Sequence, residues 1–81
     1  MTEADVQKLI LKIVRCLVDE PEAANVETIS DDSGTLYRIR VADGNAGQVI
    51  GRGGKIANSL RTIIAGVSMK LKRRITLDIV G

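Results

Sequence analysis

The residues with the clearest chemical use lie in one short segment, residues 49–55, which has the sequence Val-Ile-Gly-Arg-Gly-Gly-Lys. Glycines allow an anion to approach the backbone closely, and a helix that begins after them offers unpaired N–H groups and a positive dipole end. Arg52 and Lys55 add two cationic side chains. This combination predicts a binding site for phosphate groups.

The spacing of the glycines excludes two common phosphate loops. A Walker loop needs a glycine five positions before the Gly-Lys pair and Ser or Thr after it, but Val49 and Ile56 stand there. A dinucleotide fingerprint would need a glycine at the position of Ile56. What remains is a Gly-x-x-Gly turn, residues 51–54, which we name the glycine turn. Alone, such a turn also fits a plain corner between two helices.

The composition of the chain excludes most other site chemistry. Its 81 residues include no histidine, one cysteine and one aromatic residue, Tyr37. These counts rule out Cys/His zinc sites, a disulfide framework and His-based catalysis, and we find no nucleophile–base pair. We therefore expect no enzyme, no metal and no cofactor. A single tyrosine also cannot supply the stacking platforms of RNA-recognition motifs and OB folds.

Charge is divided unevenly along the chain. Residues 1–34 carry three basic and eight acidic side chains, whereas residues 35–81 carry nine basic and two acidic ones. This asymmetry indicates that the second half faces a polyanion, although mutual attraction of the halves would also explain it. The longest uncharged runs, residues 44–51 and 62–69, are much shorter than the ~20 residues of a membrane span. The acidic N-terminus lacks the basic flank of a signal peptide. We expect a soluble, cytoplasmic protein without a membrane segment.

The first half predicts a helix and a hairpin. Apolar residues at helical spacing predict a helix over residues 3–19, capped by Thr2 and stopped by Pro21, with Cys16 as a small buried side chain. Strands over residues 26–30 and 35–41 flank a four-residue turn. That loop length places Val26 opposite Ile39, Thr28 opposite Tyr37, Glu27 opposite Arg38 and Ile29 opposite Leu36. One face is then largely apolar, and Arg38 and Arg40 pair with Glu27 and Asp78 on the other.

The second half predicts two helices around the glycine turn and a final strand. Asn45 is a suitable cap for a short helix over residues 46–50. A longer helix begins at Lys55, and alternation over residues 75–80 predicts the last strand. The order is α-β-β-α-α-β, and one α+β domain, residues 1–81, accounts for the whole chain.

The run of strand, short helix, glycine turn, long helix and strand resembles the KH domain, whose Gly-x-x-Gly loop clamps about four nucleotides of backbone. Residues 35–80 match this core motif, and the helix and strand of residues 3–30 precede it, as in the type II arrangement. The resemblance implies a three-stranded sheet packed on three helices. The glycine turn with Ile50, Lys55, Ala57 and Leu60-Arg61-Thr62 is most similar to the KhpA family of small bacterial proteins with a single KH domain.

The resemblance also implies a mode of binding. Phosphates lie over the glycine turn, and bases face an aliphatic groove between the helices and a sheet edge. Ala57 stands where many KH domains have a larger aliphatic residue. The loop after the long helix, including Arg74, would carry basic side chains toward the strand, with Arg61 as a weaker contributor. The expected RNA-binding residues are Ile50, Gly51, Arg52, Gly53, Gly54, Lys55, Ala57, Lys70, Lys72 and Arg73.

The function implied by the resemblance is binding of single-stranded RNA by a chaperone-like, post-transcriptional regulator. It further implies a KhpB-type partner protein and a link to cell-envelope growth and cell length. The residues alone do not separate RNA from single-stranded DNA. The alternative is a homo- or heterodimerising module in which RNA contact is secondary, motivated by the acidic first half and the exposed Ile29/Leu36 pair.

Overall fold

The computed structural model describes residues 2–81 and has the expected α+β order, α-β-β-α-α-β. Two short 3₁₀ turns, Pro21–Ala23 and Arg52–Gly54, lie between the main elements. None of the helices in the described residues is long and apolar enough to cross a membrane. The helices and strands are α1 (Glu3–Leu17), β1 (Asn25–Asp31), β2 (Gly34–Arg40), α2 (Ala46–Ile50), α3 (Lys55–Leu71) and β3 (Ile75–Val80).

The three strands form one sheet in the order β1-β2-β3. β1 and β2 are an antiparallel hairpin, and the predicted register is confirmed, with Val26 opposite Ile39 and Glu27 opposite Arg38. β2 and β3 are parallel, so the chain must cross over between them, and α2, the glycine turn and α3 supply that connection. Because β2 is the middle strand, β3 lies at an edge of the sheet, and a short loop joins α3 to it.

The helices cover one face of the sheet and form an aliphatic core with it. Tyr37 is fully buried in this core, and its hydroxyl donates a hydrogen bond of 2.8 Å to the Glu3 carbonyl. Burial raises the pKa of the Tyr37 phenol above its ordinary value, and the nearby Glu3 carboxylate acts in the same direction. Other fully buried side chains are Val6, Ile10 and Val14 of α1, Val26 and Ile39 of the hairpin, and Val49 of α2.

Helix α1 begins as predicted and ends earlier than predicted. Thr2 and Asp5 form a reciprocal capping box, whose hydrogen bonds hold the pKa of Asp5 below its ordinary value. The helix ends at Leu17 and not at residue 19, because Val18 turns to an extended conformation and is buried. The prediction of a buried Cys16 was wrong: the side chain is exposed, since the buried stripe of α1 runs along its other face.

Asn45 occupies the expected position before α2, but its side chain does not cap the helix. Its Oδ1 accepts a hydrogen bond of 3.1 Å from the Glu20 N–H, and Gln48 Oε1 accepts one of 2.9 Å from the Asp19 N–H. The two amide side chains thus tie the segment after α1 to α2. Asn45 is buried, so this long-range contact outweighs the local cap.

The face of the sheet that the helices leave uncovered carries the predicted ion pairs. Arg38 lies 3.3 Å from Asp78, and Arg40 is bonded to Glu27. The contact with Arg40 lowers the pKa of Glu27. These pairs occupy the end of the sheet that is distant from the hairpin turn, so Ile29 and Leu36 remain as an apolar patch near that turn.

Candidate nucleic-acid interface

The backbone of the glycine turn has a conformation in which residues other than glycine would be strained. Gly51, Gly53 and Gly54 all have positive φ angles, of 79°, 65° and 79°. A Cβ atom on Gly51 would also lie 2.7 Å from Cγ1 of Ile56, so a side chain there would displace α3. No neighbour lies within 4 Å of a Cβ built on Gly53. The middle of the turn is therefore open to a ligand.

Only some of the backbone N–H groups of the glycine turn are unpaired, whereas the sequence predicted that they would be free. The Gly54 N–H donates to the Gly51 carbonyl at 3.0 Å, and the Lys55 N–H donates to the Arg52 carbonyl. Arg52 and Gly53 are the first residues of this 3₁₀ turn, so the turn contains no acceptor for their amides. The N–H groups of these two residues, just before α3, remain able to bind an anion.

The cationic side chains of the turn are exposed. In the part of the chain that the structure describes, ion pairs are formed by Arg38, Arg40 and Arg73, which leaves Arg52 and Lys55 without a carboxylate partner. Their charges are free to meet a phosphate. The turn thus combines backbone donors, open space and positive charge.

A groove between α3 and the edge strand β3 lies along the same helix. Its volume is about 230 Å³, and its walls are mostly aliphatic. A sheet edge was expected here, but neither Ile64 nor the β3 residues were among the expected RNA-binding residues. The alternation of apolar and polar residues along β3 could have indicated Ile75 and Leu77. The lining residues are Arg61, Ile64, Ala65, Ile75, Thr76 and Leu77.

The two apolar side chains among the expected RNA-binding residues differ in exposure. Ile50, directly before the turn, is 39% exposed and offers apolar surface beside the glycine turn. Ala57 is buried and faces the core, so its methyl group has little surface to offer a base. Arg61, the weaker expectation, is an exposed residue that lines the groove.

The loop between α3 and β3 holds Lys72 in an unusual conformation. Lys72 has a φ of 54° and is the only non-glycine residue with positive φ in the described part of the chain. Its N–H donates to the Met69 carbonyl and that of Arg73 to the Ser68 carbonyl, which closes the end of α3. A lysine in this conformation costs about 1 kcal/mol relative to glycine. A left-handed residue is a common cap at a helix C-terminus, so the cap accounts for this conformation and leaves the Lys72 side chain exposed.

Arg73, in contrast, is directed at the hairpin and not at the groove. Its Nε donates to Thr35 Oγ1 at 2.8 Å and forms an ion pair of 2.9 Å with Glu3. Its Nη2 donates to Ser30 Oγ at 2.7 Å and to the carbonyls of Asp31 and Gly34. These contacts use most donors of the guanidinium. Arg73 therefore connects α1, the hairpin and the α3–β3 loop.

Replacing Arg73 with methionine should lower the free energy of unfolding by about 2 kcal/mol, because buried Thr35 and half-buried Glu3 lose a charged partner. Lys70→Met is the matched control, since Lys70 is exposed, and should change it by less than about 0.5 kcal/mol. Urea unfolding followed by circular dichroism measures both. Equal effects of the two substitutions would contradict the structural role of Arg73.

Comparisons with known proteins agree with this geometry. Residues 7–79 match the family model described as KhpA/KhpB, KH domain. The chain is 36% identical over 74 residues to RNA-binding protein KhpA of Listeria monocytogenes, covering 91% of this chain and 97% of the relative. It is 33% identical over 73 residues to that of Caldanaerobacter subterraneus, covering 90% and 97%.

RNA-binding protein KhpA of Mycobacterium bovis is 38% identical over 68 residues, covering 84% of this chain and 81% of the relative. No solved structure matches the chain significantly. The family is one of non-enzymatic KH domains, which confirms that the chain is not an enzyme. A match over most of the chain, together with the α-β-β-α-α-β fold and its glycine turn, shows that this protein belongs to the KhpA/KhpB KH-domain family.

Proposed function

We propose that this protein binds single-stranded RNA, with phosphates at the glycine turn and bases in the groove between α3 and β3. The observation that carries the proposal is the alignment of the two features along one helix. Arg61 follows Gly54 by seven residues, so the groove starts about 10 Å along α3 from the turn. A short strand gripped at the turn can therefore place its next bases in the groove.

The shape and chemistry of the groove favour unpaired bases. A groove of about 230 Å³ has no room for a duplex, and its aliphatic walls offer contact to the faces of single bases. Arg52 and Lys55 neutralise phosphates at one end, and Lys70 and Lys72 are exposed at the other end of α3. Affinity rests on a few phosphates and shallow apolar contact, so it should be modest.

The proposal for the cellular role and the partner of the protein is based on its family. The curated relatives are named RNA-binding proteins, and the family name joins KhpA with KhpB. We propose a cytoplasmic RNA chaperone or post-transcriptional regulator, built as a single KH domain over residues 1–81. It would act with a KhpB-type partner and affect cell-envelope growth and cell length.

A dimerising protein-interaction module is the competing function. The observation that favours it is exposed apolar surface, with Ile63 57% and Met69 81% exposed on α3 and Ile29 42% exposed on the sheet. Sedimentation with and without RNA separates the two functions. A tight dimer whose sedimentation does not change when RNA is added supports the protein-interaction module. A complex that forms only with RNA supports the RNA-binding function.

The salt dependence of RNA binding tests whether the glycine turn and its cationic side chains bind phosphates. If three or four phosphates are neutralised, log K should fall against log salt with a slope of roughly −2 to −3. Fluorescence anisotropy with a labelled single-stranded octanucleotide at several salt concentrations measures the slope. A DNA strand of the same sequence shows whether the 2′-OH contributes, and a duplex is the control. Binding without salt dependence, or tighter binding to the duplex, would contradict the proposal.

A further inference from the structure

A second cavity lies on the uncovered face of the sheet, beside the hairpin turn. Its volume is about 310 Å³, within the size range of small-molecule sites. The exposed Ile29 and half-buried Leu36 form an apolar wall, and Arg74 and Thr76 lie opposite on the α3–β3 side. The turn itself contributes Asp31 and Ser33. We name this the hairpin cavity.

The hairpin cavity and the groove meet at one residue. Thr76 lines both, and it lies on β3, the edge strand of the sheet. No further strand covers that edge, so a chain lying in the groove can pass over Thr76 onto the other face. Ala65, on the groove side, follows Gly54 by eleven residues, or about 16 Å along α3. The hairpin cavity therefore lies beyond the groove, on the side away from the glycine turn.

The walls of the hairpin cavity are held rigidly. The Thr35 N–H donates to the Arg74 carbonyl at 2.8 Å, and the contacts of Arg73 bind the loop to the hairpin from the other side. Gly34 allows this close approach, since a Cβ there would lie 2.5 Å from the Arg74 oxygen. The backbone at Arg74 is thus fixed before any ligand arrives, which lowers the entropic cost of binding.

The charges around the hairpin cavity indicate how a ligand would lie. Arg74 has no carboxylate partner in the described residues, whose ion pairs use other arginines. Asp31 stands at the turn, and its hydrogen bonds from Ser33 hold the pKa of that carboxylate below its ordinary value. An anionic group is attracted to the Arg74 side and repelled from the turn. The apolar wall between them suits a neutral, flat group.

We propose that the hairpin cavity is a subsite for one more nucleotide of the strand that lies in the groove, with its phosphate at Arg74 and its base against Ile29 and Leu36. This inference rests on the proposed function, because it needs a strand already held at the glycine turn. It extends the binding site around the β3 edge, from the helical side of the sheet to its uncovered face.

Binding of oligonucleotides of increasing length tests the subsite. Poly-uridine strands of four to eight nucleotides are titrated by calorimetry or anisotropy against the whole protein and three variants. With the unaltered protein, affinity should rise by about three- to tenfold when the strand becomes long enough to pass Thr76. Arg74→Ala should remove that gain and make the salt slope for the longer strands less steep by about 0.7, the share of one phosphate.

Two further variants control for charge and for fold. Ile29→Ser should remove most of the length-dependent gain without changing the salt slope, because it removes apolar contact only. Lys12→Ala removes one charge from an exposed position on α1 and should leave the gain intact. If Arg74→Ala and Lys12→Ala have the same effect on the length-dependent gain, or if affinity does not change with strand length, the subsite is overturned. RNA binding at the glycine turn is not affected by that outcome. If no strand of any length binds, the proposed function itself fails.

Discussion

A Gly53→Asp variant is expected to bind single-stranded RNA at least about tenfold more weakly than the unaltered protein. The backbone of Gly53 has a φ of 65° and a ψ of 17°, close to the left-handed region that aspartate and asparagine tolerate best after glycine. Nothing lies within 4 Å of a Cβ at this position, so the new side chain fits. Its carboxylate would stand where a phosphate is expected, and a repulsion of 1.4 kcal/mol already amounts to tenfold.

Gly53→Asn is the matched control, because asparagine has the shape of aspartate without its charge. We expect this variant to retain affinity within about threefold and to share the melting temperature of the aspartate variant within a few degrees. Anisotropy with the same octanucleotide and far-UV circular dichroism measure both properties. If the two variants lose affinity equally, backbone strain and not charge governs the turn, and the phosphate site at Gly53 is contradicted.

The sequence was sufficient for the elements because their signals are local. The loop length of the hairpin determined which residues face each other, and the structure has that register. The glycine turn was found in the same way, since glycines with positive φ and adjacent cations are consecutive in the chain. Contacts within a few residues leave a pattern that can be recognised without coordinates.

The features that the sequence missed depend on contacts between distant segments. Arg73 was counted with the basic loop, but its partners Glu3, Ser30 and Thr35 lie 70, 43 and 38 residues earlier and meet it only in the folded chain. Asn45 bonds to Glu20 in place of its own helix for the same reason. Both cavities have walls from elements far apart in the chain. Their position follows from β3 pairing in parallel with β2, which the local pattern did not show.

Replacing Gly34 with alanine should lower the free energy of unfolding by about 3 kcal/mol, a large part of the stability of a chain of this length. Gly34 has a φ of 149°, which alanine rarely adopts. The added Cβ would lie 2.5 Å from the Arg74 carbonyl oxygen and 3.0 Å from the Arg74 Cβ. Backbone atoms cannot rotate away, so the hairpin and the α3–β3 loop must separate. This separation also stretches the hydrogen bond from the Thr35 N–H to the Arg74 carbonyl.

The same substitution at Gly66 should act in the opposite direction. Gly66 lies inside α3 with nothing within 4 Å of a Cβ, so alanine there should raise the free energy of unfolding by about 0.5–1 kcal/mol. Urea unfolding at equal protein concentration measures both variants, and the slope against urea should stay the same for Gly66→Ala. A Gly34→Ala protein as stable as the unaltered one would show that the loop and the hairpin are not held together at this point. In that case the wall of the hairpin cavity would not be rigid, although the groove and the glycine turn would be unaffected.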